Sequence, residues 1–190
     1  FLLVAGAVLF ILLEWDNPET MGTLEPHAHV LNGLFQSVTS RTAGFNAVNI
    51  GGLTDQSLML TSILMFIGGG SASTAGGIKV TTLAILFLAA FAEARGRDDM
   101  EAYERRIPQD VLRLGVSVVL WGATTVAVSC IVIMMMTDAA LDHVLFDVIS
   151  AFATCGLSTG FTANTTDAAQ YVLAATMFFG RIGTVTLAAA

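Results

Sequence analysis

The stretch MFIGGGSASTAGGIKVTT, Met65 to Thr82, interrupts an apolar sequence with five glycines and three Ser/Thr hydroxyls between Ile67 and Lys79. LMLTSILMFI precedes the break and VTTLAILFLAAF includes and follows its end; both are apolar enough to lie in a bilayer. Each Gly costs a helix about 1 kcal/mol against Ala, and Ser and Thr compete for backbone partners. This composition predicts a loop rather than a continued helix. Backbone without regular partners survives at membrane depth only inside protein or along a water-filled path.

Self-comparison shows how the break arose. Thr42-Ala43-Gly44-Phe45-Asn46 resembles Thr154-Cys155-Gly156-Leu157-Ser158 at an offset of 112 positions, and Met65-Phe66-Ile67-Gly68 resembles Met177-Phe178-Phe179-Gly180 at the same offset. Upstream, Leu34-Phe35 matches Leu145-Phe146 at 111. Downstream, Thr82-Leu83-Ala84 matches Thr186-Leu187-Ala188 at 104. The chain is therefore a tandem repeat, and the first copy carries eight residues that the second lacks, within 69–77.

Composition sets the environment. Of 190 residues, 55% are hydrophobic and 12% charged, and Leu114–Met136 holds no charge over a length that spans a bilayer. Five of the eight basic residues lie in Glu93–Arg113, whereas Glu14–Asp55 and Asp138–Asp167 are acidic. The excess of basic residues marks Glu93–Arg113 as cytoplasmic and the acidic connections as external. Both repeats then have the same orientation in the membrane. The external acids would modestly enrich cations nearby. The apolar opening at Phe1–Leu13 has no basic lead and reads as the tail of a span, so the chain reads as a piece of a longer one.

The expected fold is an all-α membrane protein made of two outer-helix, short-helix, inner-helix units. The first covers 1–95, with an outer helix at 1–14, a pore helix at 28–41, and an inner helix at 54–95 broken by loop 69–77. A cytoplasmic linker follows at 96–110. The second covers 111–190, with an outer helix at 111–137, a pore helix at 141–153 and an inner helix at 167–190. The short helices, about 20 Å each, do not cross a core of about 30 Å and suit re-entrant segments. Behind each stands Thr-x-Gly. Gly44 and Gly156 permit φ > 0 and let successive carbonyls turn to one side, as in filters that replace an ion's water shell. Thr42, Ala43, Gly44, Phe45 and Asn46, with Thr154, Cys155, Gly156, Leu157 and Ser158, are the candidate selectivity filter.

At the depth of the broken helix lies Arg181 on the other inner helix. A lone intramembrane Arg needs water or carbonyls, and a fixed positive charge opposes cation passage. Gly69, Gly70, Ser71, Ala72, Ser73, Thr74, Ala75, Gly76 and Gly77, together with Arg181, are the candidate gate. Lys79 is expected to reach toward the inner interface. A nucleotide P-loop needs Gly-Lys-Ser/Thr, which Gly77-Ile78-Lys79-Val80 does not supply. The pair His27 and His29 reads as solvated external loop, and Cys130 and Cys155 suggest neither a disulfide framework nor a zinc site. No nucleophile–base pair or paired carboxylates point to catalysis. A secondary transporter with broken helices is the alternative; such transporters usually show inverted repeats.

SRTAGFN, MFIGGGSASTAGGIKVTT, ATCGLSTGF and FFGRIGTVTL together resemble the Trk/Ktr/HKT superfamily of cation-translocating subunits, especially its bacterial KtrB type. That resemblance implies four such units around one pore, of which this chain supplies the third and fourth. It also implies potassium uptake across the plasma membrane, potassium held by filter carbonyls, and sodium as a possible coupling ion. A homodimer in membrane lipid with a cytosolic nucleotide-binding regulatory ring is implied too. Nothing points to nucleic acid.

Overall fold

The computed structural model describes residues 1–70, 76–95, 101–102, 105–106 and 109–189. Among the described residues eight helices carry the fold: α1 (Leu2–Glu14), α2 (Pro26–Thr39), α3 (Asp55–Phe66), α4 (Val80–Ala94), α5 (Gln109–Met136), α6 (Leu141–Phe152), α7 (Phe161–Asn164) and α8 (Asp167–Ala189). A 3-10 turn at Ile50–Gly52 precedes α3. The stretch read as linker holds one two-residue antiparallel pair, β1 (Glu101–Ala102) with β2 (Arg105–Arg106). The architecture is otherwise all-α.

Local chemistry sets the helix ends. Pro26 opens α2, where its missing N–H is no loss. That start lies two residues before the expected one and brings His27 into the helix together with His29. His29 is buried, edge-on to Trp15 with ring centroids 4.6 Å apart, and does not lie in a solvated loop. The inner helices begin alike. Thr54 Oγ1 accepts from Ser57 N, Thr166 Oγ1 accepts from Ala169 N, and each Thr is followed by an Asp that favours the helix N-terminus. These caps stand 112 positions apart, so the repeat extends to them.

α6 is the hub. It packs against α3, α5 and α8, while α2 packs against α1. Its residues enter both apolar clusters: Phe146 joins Phe10, Met21, Ile50 and Met65, and Val144, Val148 and Phe152 join Val126, Ile133 and Leu173. Small residues allow close approach. A β-carbon on Gly180 of α8 would overlap the Phe152 carbonyl, and one on Gly122 of α5 would lie 2.9 Å from the Phe152 ring. Outward faces are apolar, with Val4, Leu12, Leu120, Ile131, Met135 and Phe178 exposed. Among the described residues one helix segment, Leu112–Met136, is long and apolar enough to cross a membrane.

The inner helix of the first repeat is broken. α3 stops at Phe66 and α4 resumes at Val80, while α8 runs through the equivalent level unbroken. The two stems lie side by side. Ile67 and Ile78 form a parallel bridge, Ile78 N donates to Phe66 O at 3.2 Å, and Val80 N donates to Gly69 O at 3.2 Å. The extra residues therefore leave and return at nearly one point.

Glu14, the last residue of α1, is fully buried and joins three segments. One carboxylate oxygen accepts from Asn17 Nδ2 and Thr20 Oγ1, and the other from Thr54 N at 3.0 Å and Thr54 Oγ1 at 2.7 Å. Removing it strands buried donors at about 1–3 kcal/mol each. Glu14→Ala is expected to destabilise the complete protein by about 2–4 kcal/mol. Thermal unfolding in detergent checks this, and an unchanged midpoint would show that Glu14 holds nothing together.

Candidate functional site

Both Thr-x-Gly segments follow the C-termini of short helices, where backbone carbonyls lack helical partners. Behind α2, Ala43 N and Gly44 N donate to Thr39 O at 3.1 and 3.3 Å, and Phe45 N donates to Thr39 Oγ1 at 2.9 Å. Behind α6, Cys155 N donates to Ser150 O at 2.9 Å and Gly156 N to Ser150 Oγ at 3.2 Å. Thr39 and Ser150 are equivalent at the 111 offset. In a trans peptide the C=O points opposite to the following N–H. With these N–H groups turned back on the helix, the carbonyls of Thr42, Ala43 and Gly44, and of Thr154 and Cys155, point away from it. Phe45 is different: its carbonyl accepts from Thr39 Oγ1 at 2.8 Å and is turned back.

Backbone dihedrals repeat the pattern. Thr42 has φ +74° and Gly44 φ +74°; Thr154 has φ +52° and Gly156 φ +97°. The intervening Ala43 and Cys155 are not left-handed. Positive φ at Thr is uncommon and costs free energy. Sequence reading expected it only of the glycines. Two threonines held this way in equivalent places indicate one backbone path used twice.

The segments face each other. A β-carbon on Gly44 would overlap the Cys155 carbonyl oxygen, and one on Gly156 would lie 3.7 Å from Gly44 Cα. Cys155 Sγ donates to Thr39 O at 3.4 Å, linking the second segment to the first short helix. The two segments thus meet at Gly44 and Cys155–Gly156.

Two buried carboxylates lay unnoticed among the external acids, Glu14 and Asp147. Asp147 of α6 sits behind the second segment. Its Oδ1 accepts from Thr159 N and Thr159 Oγ1, and its Oδ2 from Ser158 Oγ, Thr162 N and Thr162 Oγ1. The 111 offset pairs Asp147 with Gln36, which was the available signal. Gln36 is buried, yet neither atom of its amide has a partner among the described residues. Arg41, just before Thr42, likewise keeps Nε and Nη2 buried without a partner there.

The stem of the broken helix reaches the base of the second segment. A β-carbon on Gly76 would lie 2.5 Å from Thr154 Oγ1 and 2.6 Å from Ala153 O. Gly77 has φ +71° beside the Phe66 and Met65 carbonyls. Gly180 is pressed on Phe152, the residue before Ala153, so Gly76 and Gly180 meet neighbouring positions at the end of α6, and Arg181 follows directly on that contact. Gly69 lies in the opposite stem, and a β-carbon on Gly70 would meet nothing within 4 Å among the described residues. Ser71, Ala72, Ser73, Thr74 and Ala75 lie outside the described residues.

The fold is that of a known class of cation transporter. It superposes on the crystal structure of the potassium transporter TrkH from Vibrio parahaemolyticus with a TM-score of 0.83 and 24% identity, covering all of this chain and 42% of that one. The family model described as TrkH, cation transport protein, matches residues 1–190, and this chain belongs to that family. It is 38% identical over 187 residues to the Ktr system potassium uptake protein B of Vibrio alginolyticus, covering 98% of this chain and 41% of the relative. It is 35% identical to the protein of the same name from Bacillus subtilis strain 168, covering 96% of this chain and 41% of that relative. The chain thus spans about two fifths of the length of these relatives. The family comprises cation transporters rather than enzymes, which makes this a membrane protein.

Side chains at the two glycines are expected to have unequal effects. Alanine at either pays about 1–2 kcal/mol for a left-handed backbone. At Gly44 it also drives into the Cys155 carbonyl, which moves only if the second segment moves. Gly44→Ala is therefore expected to lower the thermal unfolding midpoint of the complete protein in detergent more than Gly156→Ala does, and equal losses would contradict the contact.

Proposed function

We propose that this chain is half of the pore of a potassium uptake subunit, in which residues 42–46 and 154–158 line two sides of a carbonyl filter. One observation carries the reading: in both segments the short helix consumes the N–H groups, which aims the carbonyls of residues 42–44 and 154–155 away from it. A dehydrating monovalent cation would exchange water for these oxygens. The relatives' names, potassium uptake proteins, favour potassium as the ion. A complete pore takes further units like these two. The working assembly on this reading is a homodimer in the plasma membrane, regulated by a cytosolic nucleotide-binding ring, with sodium as a possible coupling ion.

Below the filter, loop 69–77 and Arg181 form the gate. The placement of Gly76 against Thr154, and of Arg181 one residue past the Gly180–Phe152 contact, supports this. A loop there narrows the path, and a guanidinium opposes the entry of a second positive charge. Regulation would consist of moving the loop aside.

Shortening the loop by removing residues 70–77, and separately Arg181→Ala, are each expected to raise rubidium flux of the complete transporter several-fold without its regulator. Flux that stays level in properly assembled protein would remove the loop, or the arginine, from the gate. Unaltered ion selectivity is also expected of Arg181→Ala, which leaves the Gly76–Thr154 contact in place.

A further inference from the structure

The two candidate filter segments are supported differently from behind. Asp147 is 3% exposed and accepts five hydrogen bonds: from Thr159 N at 3.0 Å, Thr159 Oγ1 at 3.3 Å, Ser158 Oγ at 2.6 Å, Thr162 N at 3.1 Å and Thr162 Oγ1 at 2.6 Å. One side chain thereby fixes the chain from the last residue of the second segment through the start of α7. All five partners are donors, and two are backbone amides that cannot reverse their role. Only a carboxylate, an acceptor at both oxygens, satisfies them together. Hydroxyls and amides carry no compensating charge, so the negative charge remains close behind Ser158.

The register position in the first repeat is Gln36, a neutral side chain. The first segment is held instead by Thr39 Oγ1, which accepts from Phe45 N and donates to Phe45 O. That bond is neutral and acts on the fourth residue of its segment rather than on the chain beyond it.

We propose that Asp147 is a positioning and specificity-determining residue: it latches residues 158–162 from behind and, by its charge, raises the cation affinity of the second filter segment above that of the first. This inference rests on the filter reading. A buried anion attracts a cation more strongly than it would in water. Fixing Ser158 also restrains Gly156 and Leu157, and with them the carbonyls ahead of the latch. A role confined to folding would lower the amount of functional protein without changing how the remainder discriminates among ions.

The test uses the complete transporter in cells lacking other potassium uptake. Asp147→Asn keeps the shape, removes the charge and replaces one acceptor with a donor. It is expected to raise the KM for potassium about tenfold and to lower the potassium-over-sodium preference, at unchanged membrane abundance and with a smaller change in maximal rate. Unchanged KM and preference at normal abundance would overturn the proposal. Should Asp147→Asn fail to reach the membrane, Thr162→Val decides. It removes one hydroxyl from the carboxylate outside the filter segments and must shift KM in the same direction by about threefold; no shift overturns the latch. Gly44→Ala in the same assay separates the two failures. If it degrades selectivity while Asp147→Asn does not, the filter stands and the latch falls. If neither variant moves selectivity, both fall.

Discussion

The C-terminus of a short helix is the constraint on which the rest depends. Its last carbonyls have no helical partner, and the chain that follows must supply one. Here the residues after α2 and α6 turn back and donate their own N–H groups to Thr39 and Ser150. Because the peptide unit is rigid, that commitment turns the next carbonyls the other way. The left-handed φ values at Thr42 and Thr154 are where the chain absorbs the turn. Their cost is offset because the surrounding bonds over-determine the conformation. Glycine at 44 serves a second need, since the opposing Cys155 carbonyl leaves no room for a side chain.

Much of this was legible in the sequence. Two copies at an offset of 112, with a shift to 104 beyond the break, located the loop by counting. Apolar length marked α5, and Pro26 offered a helix start that the sequence reading set two residues too late. What stayed hidden were pairings between residues far apart or in irregular chain. The Glu14 carboxylate meets Thr54 across 40 positions, and Cys155 meets Thr39 across 116. Neither has a period to detect. Charge counting grouped Glu14 and Asp147 with the other acids for the same reason: a tally by stretch does not see which acids are buried among donors. Beyond the break the chain returns with Ile78 beside Ile67, a pairing that no period announces.

Tandem repeats in one chain are free to differ, and the two repeats here differ in two places. The insertion interrupts only the first inner helix; α8 stays continuous and packs Gly180 on the Phe152 carbonyl. On the gate reading proposed above, one loop is enough to obstruct a narrow path. The second difference lies behind the candidate filter segments, where Asp147 stands in one copy and Gln36 in the other. A buried carboxylate in both copies would set two like charges near each other, and each would raise the other's cost. A carboxylate in one copy avoids that repulsion. Unequal repeats are then what electrostatics favours around a carbonyl-lined path of the kind proposed.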